Sequence, residues 1–280
     1  MARIAFVLGG GGHLGAYQVG MLRSLLGRGV VPDVVVGTSV GAMNGAAVAA
    51  RPTLDTVDNL ESVWLNLDRE PVFASSLFAG AARLARSRTH VQPIEPLRDL
   101  IERMLPVRSF EDLEVPFECV AASIERAAEH WFSKGSLVDA ILASAAVPGI
   151  LPPVEIGGEH FVDGGIVNSI PIERAVQLGA DVVYVLHVGR VDRKLEAPRN
   201  LFEVAMVAFE IARRHRFTRD MANLPVGVVA HVPPTGEEYP PRFSDLSQLR
   251  YRDFSDVAKR VAGAQAATDL YLDQAGVRAT

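Results

Sequence analysis

Two glycine-bearing turns, each set between an unbroken apolar strand and a helix, constrain this chain more than any other feature. The first follows RIAFVL (Arg3–Leu8): four glycines, Gly9 to Gly12, lead into LGAYQVGMLRSLLGRG. The second follows VVV at 34–36: the pentad GTSVG (37–41) leads into a helical pattern over Val40–Ala50. Neither strand alternates apolar with polar residues, so each is expected to be covered on both faces. Strand, helix, strand, helix with such strands predicts a parallel sheet with helices on its two sides, an α/β fold. In the first helix Leu14, Tyr17, Val19, Met21, Leu22, Leu25 and Leu26 recur at helical spacing, and Gly27 to Gly29 end it. Pro32 and Asp33 mark the turn into the second strand.

The same reading continues along the chain. Helices are expected at about 53–67 and 93–105, strands at 117–124 and 130–132, and a helix opening on Ser136 in a Ser-x-x-Asp start. PPVEIGGEHFVDGG reads as a hairpin turning at Gly157-Gly158. A helix from Pro171, a buried strand over 181–188, a long helix over 200–221, a strand over 226–232 and a last helix over 255–275 follow. No repeat or low-complexity tract interrupts this order, and the loop at 189–200 is too short to separate domains. One domain over 1–280 is expected.

Bulk properties exclude several classes. With 49% apolar residues the chain can bury a sizeable core, and a net charge of −5 argues against a general affinity for nucleic acid. The one cysteine, Cys119, allows neither an internal disulfide nor a CxxC metal site, and its setting in PFECVAAS reads as core. No signal-peptide pattern opens the chain, and no window holds the ~18 apolar residues of a membrane span. The sequence thus predicts a soluble, cytoplasmic protein. The carboxylates and histidines lack ligand spacing such as His-Glu-x-x-His, so no metal or other cofactor is expected.

GTSVG has the form Gly-x-Ser-x-Gly between a strand and a helix, the context in which a nucleophile elbow lifts a serine hydroxyl above the sheet edge. Gly37 and Gly41 leave room for the turn, and the following helix N-terminus favours developing negative charge at Ser39. A bland alternative is a glycine-bounded turn with a capping serine. Ser39 needs a base. None of the histidines His13, His90, His130, His160, His187, His215 and His231 sits in an obvious acid-oriented loop, although His187 and His231 lie near strand ends. The other candidate is Asp163 in FVDGGIVNSIP, a carboxylate after a strand beside Gly164 and Gly165. Burial would raise its basicity enough for direct proton transfer. Taken alone, Asp-Gly-Gly is a turn.

Three elements in order, Gly10-x-Gly12-x-x-Gly15, Gly37-x-Ser39-x-Gly41 and Asp163-Gly164-Gly165, resemble the patatin-like phospholipase family. SAAVPGILPPVEIGGEHFVDGGIVNSIPIERAVQLGAD (144–181) is similar to the family's stretch around its aspartate, including Pro148-Gly149, Asn168 and Pro171. The resemblance spans roughly 4–190, with elements at 200–275 packed on that core. It implies a three-layer α/β/α fold with a mostly parallel sheet, and a lipid acyl hydrolase with Ser39 as nucleophile and Asp163 as base. It also implies a backbone oxyanion hole at Gly10, Gly11 and Gly12, with the amides of Gly11 and Gly12 as donors. Each such donor is worth on the order of 10²–10³ in rate. Leu14 departs from the pattern, standing where the family often has arginine. The partner implied is a lipid or other ester, met at a membrane surface; the oligomeric state is left open.

Two rivals remain. A dinucleotide fingerprint would need an acidic residue at the end of the second strand, which ends instead in Gly37-Thr38-Ser39. A catalytically weak lipid- or protein-binding member of the same fold is the other. SSLFAGAARLARSRTH (75–90) fits an interface helix or lid, and equally a helix packed on the core with solvated arginines. RRHRFTR (213–219) is similarly two-sided, and arginines complementing a helix dipole account for it.

Overall fold

The computed structural model describes residues 2–67, 85–188, 194–199, 201–236 and 256–277. Strands β1 (Ile4–Leu8), β2 (Val34–Thr38), β3 (Phe117–Ser123), β4 (Ala128–Phe132), β5 (Val154–Ile156), β6 (Glu159–Asp163), β7 (Val182–Leu186) and β8 (Val229–His231) form one sheet. Its order is β5-β6-β3-β2-β1-β7-β8, with β4 paired to β3. The run β3-β2-β1-β7-β8 is parallel, and β4, β5 and β6 join antiparallel.

Strand residues feed two cores in alternation, as the two-residue period requires. Phe6, Leu8, Val35, Tyr184 and Leu186 point to one face. There they meet helices α1 (Ala16–Gly27), α2 (Val40–Ala50), α3 (Leu54–Leu65), α4 (Glu95–Met104), α5 (Leu137–Ser144) and the last helix, α9 (Val257–Gln274). Ala5, Val7, Val34, Val36, Val183 and Val185 point to the other. Ile172 and Ala175 of α7 (Ile172–Gln177) and Phe217 of α8 (Leu201–Ala222) close that face, making three layers. Helix α9 packs so closely on α1 that a Cβ at Gly20 would stand 2.2 Å from the Val261 carbonyl oxygen.

Differences from the sequence expectations have local causes. Leu14 lies in a single 3₁₀ turn, Gly12–Gly15, and α1 begins only at Ala16. The strand expected at 226–232 shrinks to Val229–His231, because Pro225 opens a turn closed by the Val228 amide on the Pro225 carbonyl at 3.1 Å. Asp-Gly-Gly leads into a short helix, α6 (Gly165–Asn168), that was not expected. The arginines of 213–219 are ion-paired: Arg213 and Arg214 with Glu210 at 2.7 and 2.6 Å, and Arg216 with Glu129 and Glu173. Pairing with acids, more than the helix dipole, accounts for that cluster. Cys119 is fully buried on β3. The amphipathic stretch at 75–90 lies outside the described residues up to 84.

Register explains how distant segments meet. On one edge β4 pairs with Cys119–Ser123 of β3. The opposite edge is therefore shared end to end: β2 takes Phe117–Val120 and β6 takes Ala121–Ser123. Thr38 lies opposite Val120 and Asp163 opposite Ala121. The residue that follows β2 and the residue that ends β6 are thereby brought together.

Candidate active site

That junction holds Ser39 and Asp163. The Ser39 hydroxyl donates to Asp163 Oδ2 at 2.6 Å across 124 residues of sequence. Ser39 has φ 55° and ψ −122°, a conformation that side chains rarely adopt, at the head of α2. Its amide donates to Ser144 Oγ at 2.9 Å, and that hydroxyl in turn donates to the Val120 carbonyl at 2.6 Å. The turn is tight because β1 lies against α2: a Cβ at Gly41 would stand 2.1 Å from the Leu8 carbonyl oxygen. Gly37 is crowded in the same way by the Gly41 carbonyl. On the other side of the pair, a Cβ at Gly164 would stand 2.1 Å from the Val120 carbonyl oxygen.

Asp163 is 5% exposed, and burial pushes its carboxyl up to about 6 from an ordinary 3.8. The Ser39 hydroxyl and the Gly165 amide, 2.7 Å from Oδ1, pull in the opposite direction by solvating the carboxylate. A carboxylate bonded to a serine hydroxyl, with its proton affinity raised toward neutrality, can accept that proton. No histidine takes this place: the Ser39 hydroxyl is bonded to the aspartate.

The glycine loop runs beside the pair. A Cβ at Gly10 would stand 3.5 Å from Ser39 Cβ, and Gly12 and Ser39 line one cleft. Gly10 itself donates its amide to the Ser169 carbonyl at 2.9 Å. That leaves the amides of Gly11 and Gly12 without an acceptor among the described residues. Gly15 sits under Val40 and Trp64, where a Cβ would stand 2.4 Å from Val40 Cγ2. Leu14 is buried in the main core.

The cleft opens to solvent beside Ser39. Beyond Ser39 its walls are almost entirely hydrocarbon: Val40 and Met43 of α2, Val63 of α3, and Leu97, Leu100 and Met104 of α4. Such walls offer an apolar group a place beside the Ser39 hydroxyl. No group of three or more histidine, cysteine or acidic side chains suited to a metal occurs among the described residues.

Sequence reasoning missed several residues here. Ser144, which holds the Ser39 amide, lies in the quoted 144–181 stretch but carries no separate signal. Gln18 and Asn44 are 0% and 1% exposed. Each is a polar residue in an apolar helix, AYQVGMLR and VGAMNGAAVAA, and that conflict was a legible sign of a buried role.

A doubly covered α/β sheet with a strained serine between a parallel strand and a helix, beside an apolar cleft, has the strand-turn-serine-helix form of a nucleophile elbow. The family model for patatin-like phospholipases matches residues 6–176, and the chain belongs to the patatin-like phospholipase family. It is 32% identical over 199 residues to human patatin-like phospholipase domain-containing protein 6, covering 68% of this chain and 14% of that protein. It is 29% identical over 192 residues to lysophospholipase nte1 of Aspergillus terreus, covering 68% and 12%. An uncharacterized NTE family protein of Mycobacterium bovis is 29% identical over 180 residues, covering 64% and 47%. The chain thus spans less than half the length of these curated relatives. Among solved structures, VipD from Legionella pneumophila shares the fold at a TM-score of 0.50 and 15% identity, covering 98% of this chain and 67% of that one.

Proposed function

We propose that this chain is a serine acyl hydrolase that cleaves carboxylic esters of lipids through Ser39 and Asp163, with the whole chain acting as one domain. The observation that carries the reading is the 2.6 Å bond from the Ser39 hydroxyl to a buried carboxylate, at the edge of an apolar cleft. Asp163 takes the serine proton as Oγ attacks the ester carbonyl carbon. The amides of Gly11 and Gly12 receive the negative charge on the tetrahedral oxygen. Collapse of that intermediate breaks the bond to the alcohol, which leaves with the proton from Asp163, and the acyl group stays on Ser39. Water then gives its proton to Asp163 and attacks the acyl-enzyme, and the fatty acid departs as the proton returns to Ser39. The acyl chain lies in the cleft throughout, and the name of the fungal relative, a lysophospholipase, supports a lipid ester as substrate. No helix among the described residues is long and apolar enough to cross a membrane. The proposed contact with lipid is peripheral.

Hydrolysis of a nitrophenyl ester chain-length series by wild type and Ser39→Ala tests the reading. Activity in the wild type that disappears in the variant, with fluorophosphonate labelling lost in parallel, is expected. Equal activity in both proteins refutes it, and absence of both turnover and labelling in the wild type points to the lipid-binding alternative.

A further inference from the structure

Beneath the glycine loop runs a chain of buried hydrogen bonds that the proposed chemistry does not itself use. Trp64 Nε1 donates to Asn44 Oδ1 at 3.1 Å. Asn44 Nδ2 donates to the Gly15 carbonyl at 3.1 Å and to Gln18 Oε1 at 2.9 Å. Gln18 Nε2 donates to the Gly9 carbonyl at 2.8 Å and to the Leu186 carbonyl at 2.9 Å. The direction of each bond is forced. An indole nitrogen only donates, so the asparagine must turn its oxygen to Trp64 and its amide nitrogen inward. That leaves the Gln18 oxygen as acceptor and both its N–H groups for carbonyls, so every polar atom in the chain is satisfied. A buried network in this condition holds its members in one geometry.

Its termini are what matter. Gly9 and Gly15 are the two ends of the loop that carries the amides of Gly11 and Gly12, and Leu186 is the strand end to which the Gly9 amide also donates, at 3.2 Å. At the other end, Trp64 and Asn44 line the apolar cleft beside Ser39. The Trp64 ring also lies against the loop, where a Cβ at Gly15 would stand 2.6 Å from Cζ2. Resting on the proposed hydrolase reading, we infer that Gln18 and Asn44 are positioning residues for the oxyanion loop. Trp64 ties the loop to the occupied acyl cleft, so an acyl chain packed on the indole raises the turnover rate as well as the affinity. Binding energy gained far from the ester is thereby realised in the transition state.

The test uses full-length wild type, Gln18→Met and Trp64→Phe on nitrophenyl butyrate and nitrophenyl dodecanoate, with dodecanoate binding measured separately. Gln18→Met keeps the side-chain length and removes both donors. It is expected to lower kcat about tenfold or more on both esters, while KM and dodecanoate affinity stay within about twofold, since loop amides act on the transition state. Trp64→Phe keeps a ring in the cleft and removes the first donor. It is expected to lower kcat on the long ester toward that on the short one, with KM little changed. Unchanged kcat in Gln18→Met, or a rise in KM alone, overturns the inference. If Gln18→Met does not fold, Trp64→Phe decides: a wild-type ratio of kcat values between the two esters overturns it. A Ser39→Ala protein as active as wild type would instead remove the hydrolase reading on which the inference stands, and the two failures are thus told apart.

Discussion

Replacing Asp163 by asparagine should abolish activity and at the same time stabilise the protein at neutral pH. Burial pushes the folded carboxyl up to about 6 from an ordinary 3.8, because it disfavours the charge more than the two hydrogen bonds restore. The sign follows from linkage. The folded state holds the proton more tightly than the unfolded chain, so stability is greatest when Asp163 is protonated. It falls as pH rises from about 4 to about 6 and is flat above that. The difference from the ordinary value amounts to about 3 kcal/mol at pH 7.5 and to about half of that at pH 5. The asparagine side chain is neutral at both, can accept from the Gly165 amide through Oδ1, and can donate to Ser39 through Nδ2. Urea unfolding of wild type and Asp163→Asn at the two pH values measures the difference. The variant should be more stable by up to about 3 kcal/mol at pH 7.5, with the gap halved at pH 5. A variant less stable than wild type at pH 7.5, or a gap that does not change with pH, would refute the reasoning.

Three further expectations test neighbouring features. The kcat/KM for ester hydrolysis should rise with pH through about 6 as Asp163 loses its proton, and a flat profile from pH 5 to 7 would exclude it as the base. Ser39→Gly should be more stable than Ser39→Ala by about 1 kcal/mol in thermal unfolding, because both lose the hydroxyl but only alanine keeps a Cβ at φ 55°. Equal stability would mean the elbow carries no strain. Val63 and Met104 line both the cleft beside Ser39 and the adjoining groove between α3 and α4. Val63→Trp should therefore cut turnover of long esters relative to short ones by about tenfold or more, and an unaltered chain-length profile would place the acyl chain elsewhere.

The parallel half of the sheet was readable because its strands are apolar on both faces and its turns are marked by glycine. IAFVL and VVVGT fold as the pattern demands, and α2 begins and ends where expected. Ser39 and Asp163 were legible as candidates only from the three glycine motifs taken together, since each motif alone also reads as a plain turn. Their meeting was not, because it depends on β2 and β6 sharing an edge of β3, a relation among three strands that no local window contains. Ser144 was hidden for the same reason: its partners, the Ser39 amide and the Val120 carbonyl, are 105 and 24 residues away. The short helix after Asp163 escaped because Gly164 and Gly165 signal a turn in any context, and the hydrogen bond that turns Gly165 toward Asp163 exists only in the folded chain.

The shared edge of β3 also makes the site a gauge of assembly. Side chains on a strand change face at each step, so a slip of β6 by one residue would turn Asp163 away from Ser39 and Phe161 out of the core while leaving the other strands and the helices in place. Such a molecule would be nearly indistinguishable from the native one by circular dichroism and would be silent toward ester. On the proposed reading, turnover would report the alignment of two residues that lie 124 positions apart. Two fragments cut between β2 and β6 would recover activity only on rejoining in the native alignment, so recovered rate would count correctly zipped sheets, molecule by molecule.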